Sequence, residues 1–377
     1  LSKLEPAEVD QHFTFHVVGL PHTQTTVAYD NCAFTAKVRK FCDMMKSLGH
    51  TVYVYGSEDF ECDYDEALTC ITKAEQQDII GVFGPEDIHK AAFGSELPHW
   101  QIFNRRVIQH MNRLIRPKDF ICIMGGLGHK PITDAFPEIK ACEFGIGYPG
   151  SYLPHRVFEA YAWMHMSYGH QQVLHAALGN NYDRVIPSYF EEELFPFSEE
   201  KDDYFMFIGR MTALKGWRVA VEACEAFGAP LVVAGLGEDA EKLPSWVDYR
   251  GLVGPKERGE LMSRARAIFV PTLYVEPFGS VSAESMMTGT PVLTTDWGAF
   301  PELVRQGIDG FRCRTLQQFL DGMEAVDDLD KKAIRDFAME RFGMANVRWQ
   351  YQDYFEDLYT LWDKGWYTLR DDAASDS

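Results

Sequence analysis

The sequence contains no apolar run long enough to cross a bilayer, and its opening residues, Leu1–Pro6, do not read as a signal peptide. The expectation is a soluble cytoplasmic protein, and the lack of an initiator Met reads as a trimmed N-terminus. Cationic residues are in short supply: 36 Lys and Arg stand against 56 Asp and Glu, for a net charge of −20 and a pI near 5.0. This balance argues against general binding to nucleic acid or an anionic membrane and leaves room only for a local basic groove. The eight cysteines (32, 42, 62, 70, 122, 142, 224 and 313) form no C-x-x-C pair and no zinc-like spacing, so reduced thiols are expected and no metal site is. No period of 20–50 residues indicates a solenoid. A dinucleotide fingerprint is missing too. The first strand ends in Gly19 alone rather than in G-x-G-x-x-G, which makes a nicotinamide-dependent dehydrogenase a poor fit.

What the chain does have is strands alternating with helices. At 377 residues it exceeds the size at which a single core stops growing, so two domains are expected. In the first half, strands are predicted at 13–19, 51–55, 119–124, 141–148 and 183–187, with a helix ending near Leu48 and a mostly helical or irregular stretch over 57–118. The aromatic- and Met-rich segment 158–175 reads as core packing. Arg105, Arg106 and Arg113 to Lys118 are the main basic concentration of this half and read as a helix surface, or as a patch for an anionic acceptor. His129 follows a buried-type strand and so belongs near a crevice rim, either as a site residue or as a loop cap. The acidic residues of 191–202 suit a linker. In the second half, strands at 204–208, 230–234, 247–250, 266–272 and 291–295 alternate with helices at 217–227 and 256–265, which points to a parallel sheet. The expected division is a domain over 1–190, the linker 191–202, a domain over 203–345, and a tail over 346–377. That tail comprises an amphipathic helix, Trp349 to Trp362, and a disordered acidic end, Asp371 to Ser377.

One stretch concentrates the chemistry. Glu276 to Val292 reads as a loop, a helix over Val281–Met287 with Ser280 as its cap, a stop at Gly289, and a new strand. Two carboxylates, Glu276 and Glu284, are separated by seven residues, and the amides of Phe278 to Val281 fall near the helix start, where unpaired N–H groups favour an anion. Parallel strands place their carboxyl-end loops on one rim, so the loop Gly209-Arg210…Lys215-Gly216 brings two cations to the same place. Cations and helix-start amides suit a diphosphate, and a carboxylate suits sugar hydroxyls.

These residues carry a resemblance. Phe207-Ile-Gly-Arg210…Lys215-Gly216, Val233-Ala-Gly-Leu-Gly237, Gly251-Leu-Val253, Pro271…Glu276-Pro-Phe-Gly279…Ala283-Glu284…Gly289-Thr-Pro-Val292, Asp296…Pro301-Glu302 and Gly307…Gly310-Phe follow one pattern over roughly residues 203–315. The second half resembles a GT-B glycosyltransferase of the retaining family 4 type, the glycosyl transferases group 1 domain. The resemblance implies two Rossmann-like α/β domains with parallel sheets facing a central cleft. The first would bind an acceptor and the second a nucleotide sugar, with the last helix crossing back onto the first domain.

It also implies roles. Arg210 and Lys215 would hold the donor diphosphate and stabilise its leaving-group charge, Glu276 would meet the donor sugar, and Glu284 would bond the ribose. Gly209, Phe278, Gly279, Ser280 and Val281 would line the phosphates and sugar, Gly251, Leu252 and Val253 the nucleobase, and Gly19 would let a first-domain loop approach the diphosphate. Family members commonly carry a His after a first-half strand. The stretch Phe144–Tyr148 has none; His129, after the preceding strand, is the catalytic candidate, Tyr148 or His155 are alternatives for the same space, and His22, Thr23, Tyr148 and His155 are the acceptor-side candidates.

The implied reaction is transfer of a sugar, with retention, from a UDP- or GDP-linked donor to an acceptor hydroxyl, with no metal or other cofactor. A saccharide, a lipid-linked sugar or a modified base in viral DNA are the acceptor classes considered. The alternative is a non-catalytic nucleotide-sugar-binding module.

Overall fold

The computed structural model describes residues 4–364 apart from 82–83, 86–87, 89–90 and 172–179. The acidic tail 371–377 and the last residues of the aromatic segment 158–175 lie outside the described residues. The chain forms two compact units. One comprises 4–158, 180–186 and 344–364, the other 159–171 and 187–343. Residues 191–202, expected as a linker, thus group with the second unit, where the half-buried Lys201 donates its ammonium to the Ser263 carbonyl and Thr290 Oγ1, both at 2.7 Å.

In the first unit the chain runs β1 (Thr14–Val18), α1 (Ala33–Ser47), β2 (Thr51–Gly56), β3 (Glu66–Thr69), α2 (Lys73–Ile80), α3 (Pro98–Leu114), β4 (Phe120–Ile123), α4 (Lys130–Ala135), β5 (Lys140–Ile146) and β6 (Arg156–Phe158). It then gives α5 (Tyr161–Gln171) to the second unit and returns with β7 (Arg184–Val185). All pairings are parallel, in the order β3-β2-β1-β4-β5-β6-β7. Two strands were not expected. β3, inside the stretch read as helical or irregular, is an edge strand with only Leu68 buried, and β6 is three residues long, so neither carries a usable apolar period. The aromatic segment also departs from its reading as core. In α5 Tyr161 is 55% exposed, and only Trp163 and Ser167 are buried among the described side chains.

The second unit runs β8 (Phe205–Ile208), α6 (Trp217–Phe227), β9 (Leu231–Ala234), β10 (Asp248–Tyr249), α7 (Pro255–Arg264), β11 (Ile268–Val270), α8 (Ser280–Met287), β12 (Val292–Thr295), α9 (Phe300–Leu303), β13 (Gly310–Cys313), α10 (Leu316–Ala325) and α11 (Lys331–Phe342). Its six parallel strands are ordered β10-β9-β8-β11-β12-β13. Successive strand residues face opposite sides, and both sides are buried. Phe205, Phe207 and Phe269 pack with Trp217 of α6 and Phe319 and Met323 of α10, while Met206, Ile268 and Val270 pack with Met262 of α7 and Phe300 of α9. This double burial explains why the strands read as continuous apolar runs.

The last helix, α12 (Met344–Lys364), belongs to the first unit. Phe355 meets Phe15 of β1 with ring centroids 4.6 Å apart, and Tyr351 meets Phe41 of α1 at 5.2 Å. Gln352 Oε1 lies 2.7 Å from His50 Nε2. The C-terminal helix therefore returns to the unit in which the chain began, as expected.

Candidate active site

In a doubly wound sheet the strand order reverses at a switch point, where the two loops at the strand carboxyl ends diverge and leave a crevice. In the second unit this point lies between β8 and β11. The loop after β8 is Gly209–Gly216 and the loop after β11 is Pro271–Gly279, the two stretches singled out by sequence. They touch: the Leu273 amide donates to the Leu214 carbonyl at 2.9 Å. Gly216 permits this approach. Its φ is +74°, and a Cβ there would lie 2.0 Å from the Pro271 carbonyl oxygen.

The approach brings Lys215 onto Glu276. Lys215 Nζ is 2.9 Å from Glu276 Oε2 and 3.1 Å from Oε1. Tyr274, which the sequence reading passed over, completes the cluster: its hydroxyl donates to Glu276 Oε1 at 3.1 Å, and the Lys215 ammonium lies 5.0 Å from its ring centroid. Burial and the neighbouring Glu276 carboxylate push the Tyr274 phenol up, so it stays a donor. Arg210, in the same loop, is exposed, and its side chain forms no hydrogen bond or ion pair among the described residues.

Behind this cluster α8 begins. Its cap is Gly279, in the left-handed region at φ +91°, with no side-chain cap. This corrects the reading of Ser280 as the cap: Ser280 is the first helical residue. The amides of Ser280 and Val281 have no intrahelical acceptor and carry the positive end of the helix dipole. The Phe278 side chain is core, stacked 6.4 Å from Phe190 and edge-on to Phe342 at 5.7 Å, so only its backbone is available to a ligand.

Glu284 lies one turn further along α8 and is paired with Arg258 of α7, Nη2 to Oε1 at 3.3 Å. Arg258 was not found by sequence, because it lies in a charged helical segment that reads as a solvated face. On the adjoining loop Leu252 is 62% exposed, with Gly251 and Val253 half-buried beside it. Glu302, also unassigned, accepts from the Tyr161 and Ala162 amides at 2.8 and 2.7 Å and so caps the start of α5.

The first unit has its own switch point between β1 and β4, where the loops 19–26 and 124–129 meet. The loop 20–26 is fully buried and cross-linked: Thr23 Oγ1 is 2.7 Å from Thr35 Oγ1, Gln24 Nε2 donates to Gln76 Oε1 at 2.7 Å, and Gln24 Oε1 accepts from the Glu58 and Asp59 amides, both at 3.0 Å. Gly19 donates its amide to the Tyr55 carbonyl at 2.8 Å. His129 is fully buried, with Nδ1 at 3.0 Å from Asn104 Oδ1 and its ring 4.8 Å from that of Trp100. Burial pulls its pKa down to about 3, so it is a neutral imidazole at physiological pH. His22 is also buried, 4.8 Å from the Phe93 ring, and burial with the nearby His99 lowers its pKa to about 4.

The other two candidates are less alike in position. The Tyr148 hydroxyl donates to the buried carboxylate of Glu143 at 3.1 Å, and Glu143 also accepts from the Tyr152 and Leu153 amides, so this trio shapes the loop 147–155. His155 precedes β6 and therefore stands at the amino end of that strand, not at the carboxyl-end rim; its ring meets Tyr182 edge-on at 6.1 Å. Two members of the basic concentration meet partners on other elements. Arg106 makes two 2.6 Å bonds to Glu75, and Lys118 lies 5.0 Å from the Tyr359 ring centroid.

Residues 190–332 match the family described as glycosyl transferases group 1. By sequence, 125 residues are 29% identical to an uncharacterized glycosyltransferase of Methanocaldococcus jannaschii, covering 30% of this chain and 32% of that one. The chain spans a third or less of the length of this relative and of a D-inositol 3-phosphate glycosyltransferase of Streptomyces griseus, which is 35% identical over 79 residues, 19% of this chain and 17% of the relative. In fold it is similar to a glycosyltransferase involved in avilamycin A biosynthesis, with a TM-score of 0.66 and 16% identity over 92% of this chain and 98% of that one. An Anabaena protein, HepE, solved with UDP and glucose, gives a TM-score of 0.62 at 13% identity, over 92% of this chain and 100% of that one. The likeness to these proteins extends over nine-tenths of the chain, and the chain carries a glycosyl transferases group 1 domain over residues 190–332 within a GT-B fold.

Proposed function

We propose that the protein is a retaining glycosyltransferase that moves a sugar from a nucleoside-diphosphate sugar to an acceptor hydroxyl. The observation that carries this reading is the convergence, at the β8/β11 switch point, of Arg210, Lys215, Glu276 and the unpaired amides that open α8. Arg210 and Lys215 supply positive charge where the leaving diphosphate accumulates negative charge, and the α8 amides add the helix-end dipole. These groups do the work a divalent ion does elsewhere, so the reaction is proposed to need no metal or other cofactor.

Lys215 is paired with Glu276. On donor binding it shares its charge with phosphate, and Glu276, still held by the Tyr274 hydroxyl, accepts from sugar hydroxyls. Glu284 accepts from the ribose, and Gly251 to Val253 take the base. UDP is the favoured nucleotide because the Anabaena neighbour was solved with UDP and glucose. Retention follows from the family 4 resemblance. In the first unit, the loops at its switch point are proposed to face the acceptor, with the buried, neutral imidazole of His129 lying behind them.

Calorimetric titration with UDP and GDP, followed by UDP-glucose hydrolysis and NMR of the anomeric configuration of the product, tests this reading. Micromolar to millimolar binding and slow hydrolysis with retained configuration are expected, both lost in Arg210→Ala and Glu276→Ala. Binding without turnover against a broad acceptor panel would make the protein a nucleotide-sugar-binding module instead. Wild-type activity in both variants would overturn the site assignment.

A further inference from the structure

The ion pair between α7 and α8 is incompletely satisfied in a specific way. Arg258 and Glu284 meet through one contact, Nη2 to Oε1 at 3.3 Å, rather than through the two parallel bonds that a guanidinium and a carboxylate readily form. The Glu284 side chain is 7% exposed, yet its Oε2 has no partner, and Arg258 Nε–H is likewise buried and unpaired. A buried donor and a buried acceptor left over within one ion pair are uncommon in a folded protein and call for a ligand that completes them. A hydroxyl both donates and accepts, so it can satisfy the carboxylate oxygen and the guanidinium together. Two hydroxyls on adjacent carbons can do so with one geometry, whereas a phosphate oxygen offers no donor to Oε2. The pair also adjoins the right surroundings: the exposed Leu252 and half-buried Val253 lie just before Gly254, the cap of α7.

We infer that Arg258 reads the ribose of the donor nucleotide together with Glu284, fixing the carboxylate through Nη2 and donating through Nε to a ribose hydroxyl. Arg258 is thereby a specificity-determining residue for ribo- over deoxyribonucleotides. The inference rests on the proposal that the second unit binds a nucleoside diphosphate. The test is a cycle of protein and ligand changes, in which UDP, 2′-deoxy-UDP and 3′-deoxy-UDP are titrated calorimetrically into wild type, Arg258→Leu, Arg258→Lys and Glu284→Gln. Wild type is expected to lose at least about tenfold in affinity when one of the two hydroxyls is removed, as a site built around a hydroxyl does. Arg258→Leu is expected to lose a similar factor for UDP and almost nothing more for that deoxy analogue, giving a coupling of fivefold or more. Arg258→Lys keeps the charge but not the fork and is expected to leave the hydroxyl preference lost.

Additive losses, or full recovery of the preference in Arg258→Lys, would show that Arg258 only neutralises Glu284 and would overturn the inference. Thermal unfolding of each variant separates misfolding from loss of the contact, and Arg258→Lys carries the test if Arg258→Leu does not fold. If wild type binds neither UDP nor GDP, the donor proposal itself fails. Tight UDP binding with additive losses overturns this inference alone.

Discussion

Lys215 Nζ and Glu276 Oε2 are 2.9 Å apart, and the carboxylate sits in a largely buried position between that ammonium and the Tyr274 hydroxyl. The ammonium and the carboxylate thus neutralise each other. Removing either partner does more than delete a ligand contact, because it strands the other one. Lys215→Ala is expected to lower stability by about 1–3 kcal/mol, below the range for a fully buried pair because the ammonium is partly exposed. Lys215→Ala/Glu276→Gln should recover part of that loss without restoring UDP affinity. Chemical denaturation and calorimetry on the three proteins check both halves.

Glu302 offers a contrasting case, a carboxylate with a purely structural task. It holds the first two amides of α5, a helix that precedes it by some 140 positions in sequence. Glu302→Ala is expected to cost about 1 kcal/mol, typical of a lost helix cap, and to speed hydrogen exchange in α5 while UDP affinity stays unchanged.

Buried imidazoles set the acid limit. Burial lowers the pKa of His22, His50 and His155 to about 4 and that of His129 to about 3. The unfolded chain, with histidines near 6.5, therefore binds more protons than the folded one in this range. Stability is complete above about pH 6.5 and falls as pH drops toward 4. Each imidazole contributes on the order of 1–3 kcal/mol to this loss. Glu143 opposes the trend, since burial raises its pKa and protonation relieves it. Thermal unfolding from pH 7.5 to 4.5 should show a falling Tm, with a shallower slope in His129→Gln.

Gly216 joins the loop after β8 to α6 and lies against the loop after β11. Gly216→Ala combines a left-handed φ of +74° with a clash against backbone that cannot rotate away. A loss of about 2 kcal/mol or more is expected, together with weaker UDP binding, because the same displacement moves Lys215 off Glu276. Thermal unfolding and a UDP titration read the two effects.

The second unit was largely legible in the sequence because its strands are buried on both faces and the loop Gly209–Gly216 begins and ends on glycine. Phe205–Ile208 and Leu231–Ala234 are unbroken apolar runs, and the helix at Trp217–Phe227 has the expected bounds. The first unit was less so. β3 has one buried residue, and β6 is three residues long with Arg156 inside it, buried against Asp183 at 2.7 Å. The loop 20–26 looks solvent-loving in sequence, yet many of its polar groups bond to Thr35, Ser57, the Glu58 and Asp59 amides and Gln76, which only the fold brings near. Tyr274 and Arg258 were missed for one reason: each is common in its local context and becomes informative only through a carboxylate from elsewhere, two residues away for Tyr274 and 26 for Arg258.

The division of the chain has a consequence for modular engineering. The described residues pass from one unit to the other after 158, between 171 and 180, after 186 and after 343. No single cut therefore releases an intact half. A break near 190 would take α5 from the unit that Glu302 anchors it to and would strip α12 from the Phe15, Phe41 and His50 surface it covers. A chimera that exchanges the second unit with that of a relative must exchange 159–171 along with 187–343, and must carry α12 with the recipient's first unit.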